Sequence, residues 1–190
     1  MNQLDQKIEK KIKEEALRLT SVGRTNWDQR HTLCSVKWMK ELIKNEGGDE
    51  KILIPTMYFH DTGYEKIDLG YNHQQCLTAK KGHAEAGAFN VKEFFPSLNY
   101  FTTEEIERMA YLVEHHDQHG NVTEHDRQLI LEADGFAQID WENCAPSYEK
   151  NEALNFLNDF YQKDRVPYIK TKFGKKILNE LTQKAKNYFK

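Results

Sequence analysis

Among 190 residues there are three cysteines, Cys34, Cys76 and Cys144, and no two of them are spaced as Cys-x-x-Cys. That spacing argues against a zinc knuckle and against a thiol redox motif. An odd, scattered set of thiols suits a reducing compartment. The chain also lacks an excess of basic residues: 27 Lys and Arg stand against 30 Asp and Glu, a formal net charge of −3. A nucleic acid polymer or an anionic membrane surface is therefore not expected as the main partner. No apolar run approaches the roughly 20 residues a membrane-spanning helix needs. The opening stretch MNQLDQKIEKKIKEEALRL is charged throughout and is not a secretory core. A cytoplasmic location is the expectation. No alternating apolar and polar pattern of useful length is present, which leaves strands unsupported.

What the chain does have is helical periodicity over nearly its whole length. Leu4, Ile8, Ile12, Ala16 and Leu19 recur at helical spacing with Lys and Glu between them. Thr25-Asn26 are candidate caps for a helix from about Trp27 to Asn45, and Gly47-Gly48 stop it. Asp49 begins a third, short helix that ends near His60, with Pro55 inside it. Residues 62 to 73 read as a loop over a site, and a helix is expected from about Gln74 to Phe95. Thr102 and Glu105 form a capping box for a helix to about His116. Thr123 and Ser147 are candidate caps for two more helices, and Pro167 precedes a last one carrying Phe173, Ile177, Leu181 and Tyr188. The expectation is one all-α domain over residues 1–190, a helical bundle with additional N- and C-terminal helices packed on it.

Histidines and aspartates stand out against this background. His31, His60-Asp61, His83, His115-His116 and Asp134 each lie on or at the end of a different expected helix. Helix bundles build metal sites from inward side chains of several facing helices, so ligands far apart in the chain converge. His60-Asp61 ends an apolar segment at a glycine turn, where two neighbours can both reach one cation. Imidazole and carboxylate donors suit Fe, Mn, Co, Ni, Zn or Mg. The other two His-Asp pairs, His116-Asp117 and His125-Asp126, lack the apolar lead-in and the glycine turn and read as decoys. His119 and His125 are expected in solvent. Cys34, one turn after His31, reads as core packing.

The order and local contexts of these residues resemble the HD superfamily of metal-dependent phosphohydrolases. The matching stretches are NWDQRHTLCSVKWM, MYFHDTGY, KKGHAEAGA, YLVEHHDQHG and LILEADGFAQI, spanning about residues 25 to 140. The segments outside that range add nothing to the resemblance. It implies one or two divalent ions: one on His31, His60, Asp61 and Asp134, and a second bridged by Asp61 and held by His83 with His115 or His116, of which His116 is favoured. Asp61 and His83 are the catalytic candidates. Lys80, Lys81 and Arg30 are candidates for holding phosphate oxygens of a small phosphorylated substrate, such as a nucleotide, attacked by metal-activated water. The chain has no Gly-Tyr-Pro after the double histidine, which leaves cyclic-di-GMP hydrolysis unsupported, and it carries Tyr64 where many members have lysine after His-Asp-x-Gly. Two other readings share the same ligands: an HD-type di-iron oxygenase, and a metal-stabilised binding domain without turnover.

Overall fold

The computed structural model describes residues 3–24, 27–64, 78, 80–120 and 122–190. Among them the chain is helical, with no strand. The first helix, α1 (Gln6–Thr20), starts where the Asp5 carboxylate accepts from the Lys7 and Ile8 amides, and it buries Ile12 and Ala16. Helix α2 (Asp28–Glu46) ends at Gly47, whose φ of 83° is a backbone conformation that favours glycine. The Thr25-Asn26 cap lies outside the described residues. Helix α3 (Glu50–Phe59) is capped by Asp49, as expected, and passes through Pro55 as one helix.

Of the helix expected from about Gln74 to Phe95, the described residues show Thr78 in helix, a turn at Lys80–Gly82, and then α4, His83–Phe94. Gly82 before it has a φ of 82°, so the chain turns there rather than running on from Lys80. Residues 74–77 and most of the expected loop, 65–73, lie outside the described residues. Helix α5 (Thr103–Glu114) carries the capping box in full, with the Glu105 amide donating to Thr102 Oγ1 at 3.2 Å and the Thr102 amide to Glu105 Oε2 at 2.8 Å. Helix α6 (His125–Ile139) follows. Beyond it lie α7 (Lys150–Asn155), a π-helical turn (Phe156–Phe160), α8 (Tyr161–Asp164) and α9 (Lys172–Asn187).

Helix α2 packs on α3 and α6, α3 on α5, and α4 on α5. The terminal helices α1 and α9 lie against this bundle, α1 on α2 and α3, α9 on α6 and α2. Buried apolar residues from Leu4 to Ala185 join in one cluster. The α9 end is anchored by a buried acid. Glu132 accepts from the Lys170 and Thr171 amides at 2.8 and 2.9 Å and from Thr171 Oγ1 at 2.6 Å. Gly174 leaves room for that carboxylate, because a Cβ there would collide with it. No helix among the described residues is long and apolar enough to cross a membrane.

Candidate metal centre

The bundle brings α2, the end of α3, the start of α4, the end of α5 and the middle of α6 to one buried point. His31 faces inward from α2 with Trp27 stacked on its ring, centroids 4.3 Å apart. The apolar run ILIPTMYF is buried along the whole of α3 from Ile52 onward, so the residues that follow it, His60 and Asp61, are delivered to the interior. Gly63 then lets the turn lie directly on the start of α4: a Cβ there would strike the His83 carbonyl and the Gly87 amide. Asn90 Nδ2 donates to the Thr62 carbonyl at 3.1 Å and fixes the same contact. This close approach is what puts Asp61 beside His83.

Asp61 faces two imidazole pairs with its two oxygens. Its Oδ2 lies 3.5 Å from His31 Nε2 and 3.4 Å from His60 Nε2. Its Oδ1 lies 3.5 Å from both His83 Nε2 and His116 Nε2. Two buried groups follow, His31–His60–Asp61 and Asp61–His83–His116, each able to hold a metal ion. Asp134 Oδ1 adds a carboxylate to the first, 2.9 Å from His31 Nε2 and 3.8 Å from His60 Nε2. Asp117 Oδ2 adds one to the second, 3.2 Å from His83 Nε2.

The ring orientations fit a cation. A carbonyl oxygen only accepts, so His60 Nδ1 donates to Met57 O at 2.7 Å, His83 Nδ1 to Lys80 O at 2.6 Å and His116 Nδ1 to Val113 O at 2.6 Å. In the neutral tautomer each Nε2 is then a lone pair. Those of His83 and His116 face one another at 3.2 Å with Asp61 beside them. Several buried lone pairs and a carboxylate converge, an arrangement that a proton or a metal ion must neutralise. The donor set is nitrogen and oxygen without thiolate, as divalent Fe, Mn, Co, Ni or Zn accepts.

Protonation follows the same logic. Burial would raise the Asp61 carboxyl, but the imidazoles of His60, His116 and His83 together with Arg24 hold it well below the usual range. Burial likewise opposes ionisation of Asp134 and Asp117, and the neighbouring groups outweigh it: Arg165 and His31 for Asp134, and His116, His83, Lys80 and Arg165 for Asp117. Burial pushes the His60 imidazole down to about 4. For His31 and His83 burial acts in the same direction, yet neighbouring groups reverse it, raising His31 to about 10 beside Asp134 and His83 to about 9 beside Asp117 and Asp61.

Some expected residues stand elsewhere. Helix α5 ends at Glu114, and His115 turns back so that its Nδ1 donates to Tyr111 O at 2.9 Å and its ring stacks on Tyr111. His116, in the turn that follows, is the member that reaches Asp61. Lys81 and Arg30 are exposed. Lys80 is held by Asp117, Nζ to Oδ1 2.7 Å. Asp117 therefore stands beside the second group, between His83 and Lys80. His119 is not in solvent: its Nε2 accepts from Arg165 Nη1 at 2.6 Å. His125 is exposed and Cys34 is buried, both as expected.

Two arginines escaped the sequence reading. Arg24 donates to Asp28 and, through Nη2 at 3.1 Å, to Asp61 Oδ2, with its guanidinium 4.0 Å from the Tyr64 ring centre and 4.1 Å from that of Trp27. Arg165, 3% exposed, reaches in from beyond α8 with Nη2 3.0 Å from Asp134 Oδ2. The segment after residue 140, outside the stretches that carry the resemblance, places Arg165 against Asp134. One signal was available: the chain has six arginines against 21 lysines, and arginine is the cation suited to buried carboxylates. Comparison with protein-family models, with curated proteins and with solved structures finds no match to the chain.

Proposed function

We propose that the chain is a metal-dependent phosphohydrolase of the HD type, acting on a small phosphorylated compound, phosphomonoester or phosphodiester, with water as nucleophile. The observation that carries this reading is the position of Asp61, one oxygen toward each of two imidazole pairs. Divalent ions held there supply Lewis acidity, which lowers the pKa of water and neutralises a phosphoryl group. His31, His60, Asp61 and Asp134 would hold one ion, and Asp61, His83 and His116 the other, with Asp117 beside them.

The remaining work falls to the chain's own cations. Tyr64 takes the place of the lysine common in the HD pattern, and Arg24 stands over its ring. Arg24, Lys80 and Arg165 line the pocket beside the two groups, and their N–H donors suit non-reacting phosphate oxygens. Arg165 Nε is buried without an acceptor among the described residues, a donor that a phosphate oxygen would satisfy.

Turnover of p-nitrophenyl phosphate, bis-p-nitrophenyl phosphate and a nucleotide panel with Mn, Mg, Co and Fe tests the proposal. Hydrolysis of at least one with a divalent ion, abolished by chelation, is expected. No turnover with any ion, together with oxygen consumption by the iron-loaded protein, would replace it with the oxygenase reading.

A further inference from the structure

A pocket opens beside the metal groups, and its two walls differ in chemistry. One wall is cationic. Arg24, Lys80 and Arg165 line it, and each is tied to an acid of the centre: Arg24 to Asp61, Lys80 to Asp117, Arg165 to Asp134. The other wall is aromatic. Trp141, Tyr148, Phe156 and Phe160 line it, all from the segment after α6. The Phe156 and Phe160 rings stack with centroids 5.5 Å apart and planes 24° from parallel. They bound the π-helical turn Phe156–Phe160, a local irregularity that recurs at functional sites. The cavity is compact, ≈ 90 Å³, and so favours a small, flat body.

We infer that this pocket takes the organic part of the substrate, and that the substrate is a phosphate ester whose body is flat and aromatic or otherwise apolar, rather than a polyol or sugar phosphate. The inference rests on the hydrolase reading for the phosphate end. The cationic wall sets the anion against the metal groups, and the aromatic wall stacks on the body. Among the described residues a polyhydroxylated body would lose water there and find few partners: Gln138 and Ser147 are the uncharged polar side chains on the lining besides the Tyr64 and Tyr148 hydroxyls and the Trp27 and Trp141 indole N–H groups. The residues after 140 thus set specificity as well as placing Arg165 against Asp134.

Benzylphosphonate and methylphosphonate test this, since their carbon–phosphorus bonds resist hydrolysis and report binding alone. Calorimetry on the full, Mn-loaded chain should give benzylphosphonate at least about ten-fold tighter binding, the scale of apolar-pocket discrimination. Phe160→Ala should bring the ratio within about three-fold, and Phe160→Tyr should restore it. If Phe160→Ala does not fold, as read by its melting curve, Tyr148→Ala carries the same expectation. Equal affinities, no measurable binding of either, or a ratio untouched by both truncations would overturn the inference. Turnover of p-nitrophenyl phosphate is read separately. Turnover without the binding preference leaves the hydrolase and removes the aromatic pocket, whereas preference without turnover does the reverse.

Discussion

Arg165 Nη2 lies 3.0 Å from Asp134 Oδ2, and both side chains are buried. The pair joins the segment after α8 to the middle of α6, inside the candidate metal centre. Removing the cation alone would strand a buried carboxylate. Asp134 keeps His31 as a partner, so Arg165→Met should destabilise the metal-free protein by about 3 kcal/mol, the lower end for breaking such a pair. Urea denaturation checks it. Added Mn should recover part of the loss, because an ion on His31, His60, Asp61 and Asp134 offers Asp134 another positive partner.

The two neighbouring histidines at the end of α5 should behave differently. His116 Nε2 lies 3.5 Å from Asp61 Oδ1, whereas the His115 ring stacks on Tyr111. His116→Ala should weaken binding of the second ion by at least about ten-fold, the scale known even for groups that only orient metal ligands. His115→Ala should leave metal content as in the wild type. Elemental analysis after dialysis against a fixed free-metal concentration separates them.

The capping box of α5 should be visible in stability. Glu105→Ala removes the acceptor for the Thr102 amide and the partner of Lys51 Nζ, 2.7 Å away, and should cost about 1 kcal/mol at neutral pH. Slight burial opposes the Glu105 charge, but the Lys51 and Thr102 donors outweigh it and hold the carboxyl below its ordinary value of 4.5. A depressed carboxyl contributes stability above its unfolded pKa and loses it as pH falls through the folded one. The difference between wild type and variant in urea should therefore shrink below pH 4.5. A difference that is constant down to pH 2 would contradict this role.

The buried pair His60-Asp61 was legible because its setting is local. An apolar segment, a His-Asp pair and a glycine are contiguous at 52 to 63, and the turn they predict is the turn that forms. The caps at Asp49 and Thr102 were legible for the same reason. Partners across the fold were not. Arg24 and Arg165 look like surface cations in the sequence, and only packing sets them on Asp61 and Asp134, 37 and 31 residues away. The choice between His115 and His116 depended on where α5 ends, and a one-residue shift there swaps the two rings. The start of α4 was missed because Gly82 is compatible with a helix interior as well as with the left-handed turn it adopts.

Asp61 is the residue common to both buried groups, and its shared role is the central claim. The most direct test is metal per chain in protein purified without chelator, compared for the wild type, His83→Ala and Asp61→Ala, each shown to be folded by circular dichroism. His83→Ala should lose the ion of one group and keep the other, and Asp61→Ala should fall furthest by weakening both. An Asp61→Ala protein that keeps the full wild-type metal content would contradict the assignment.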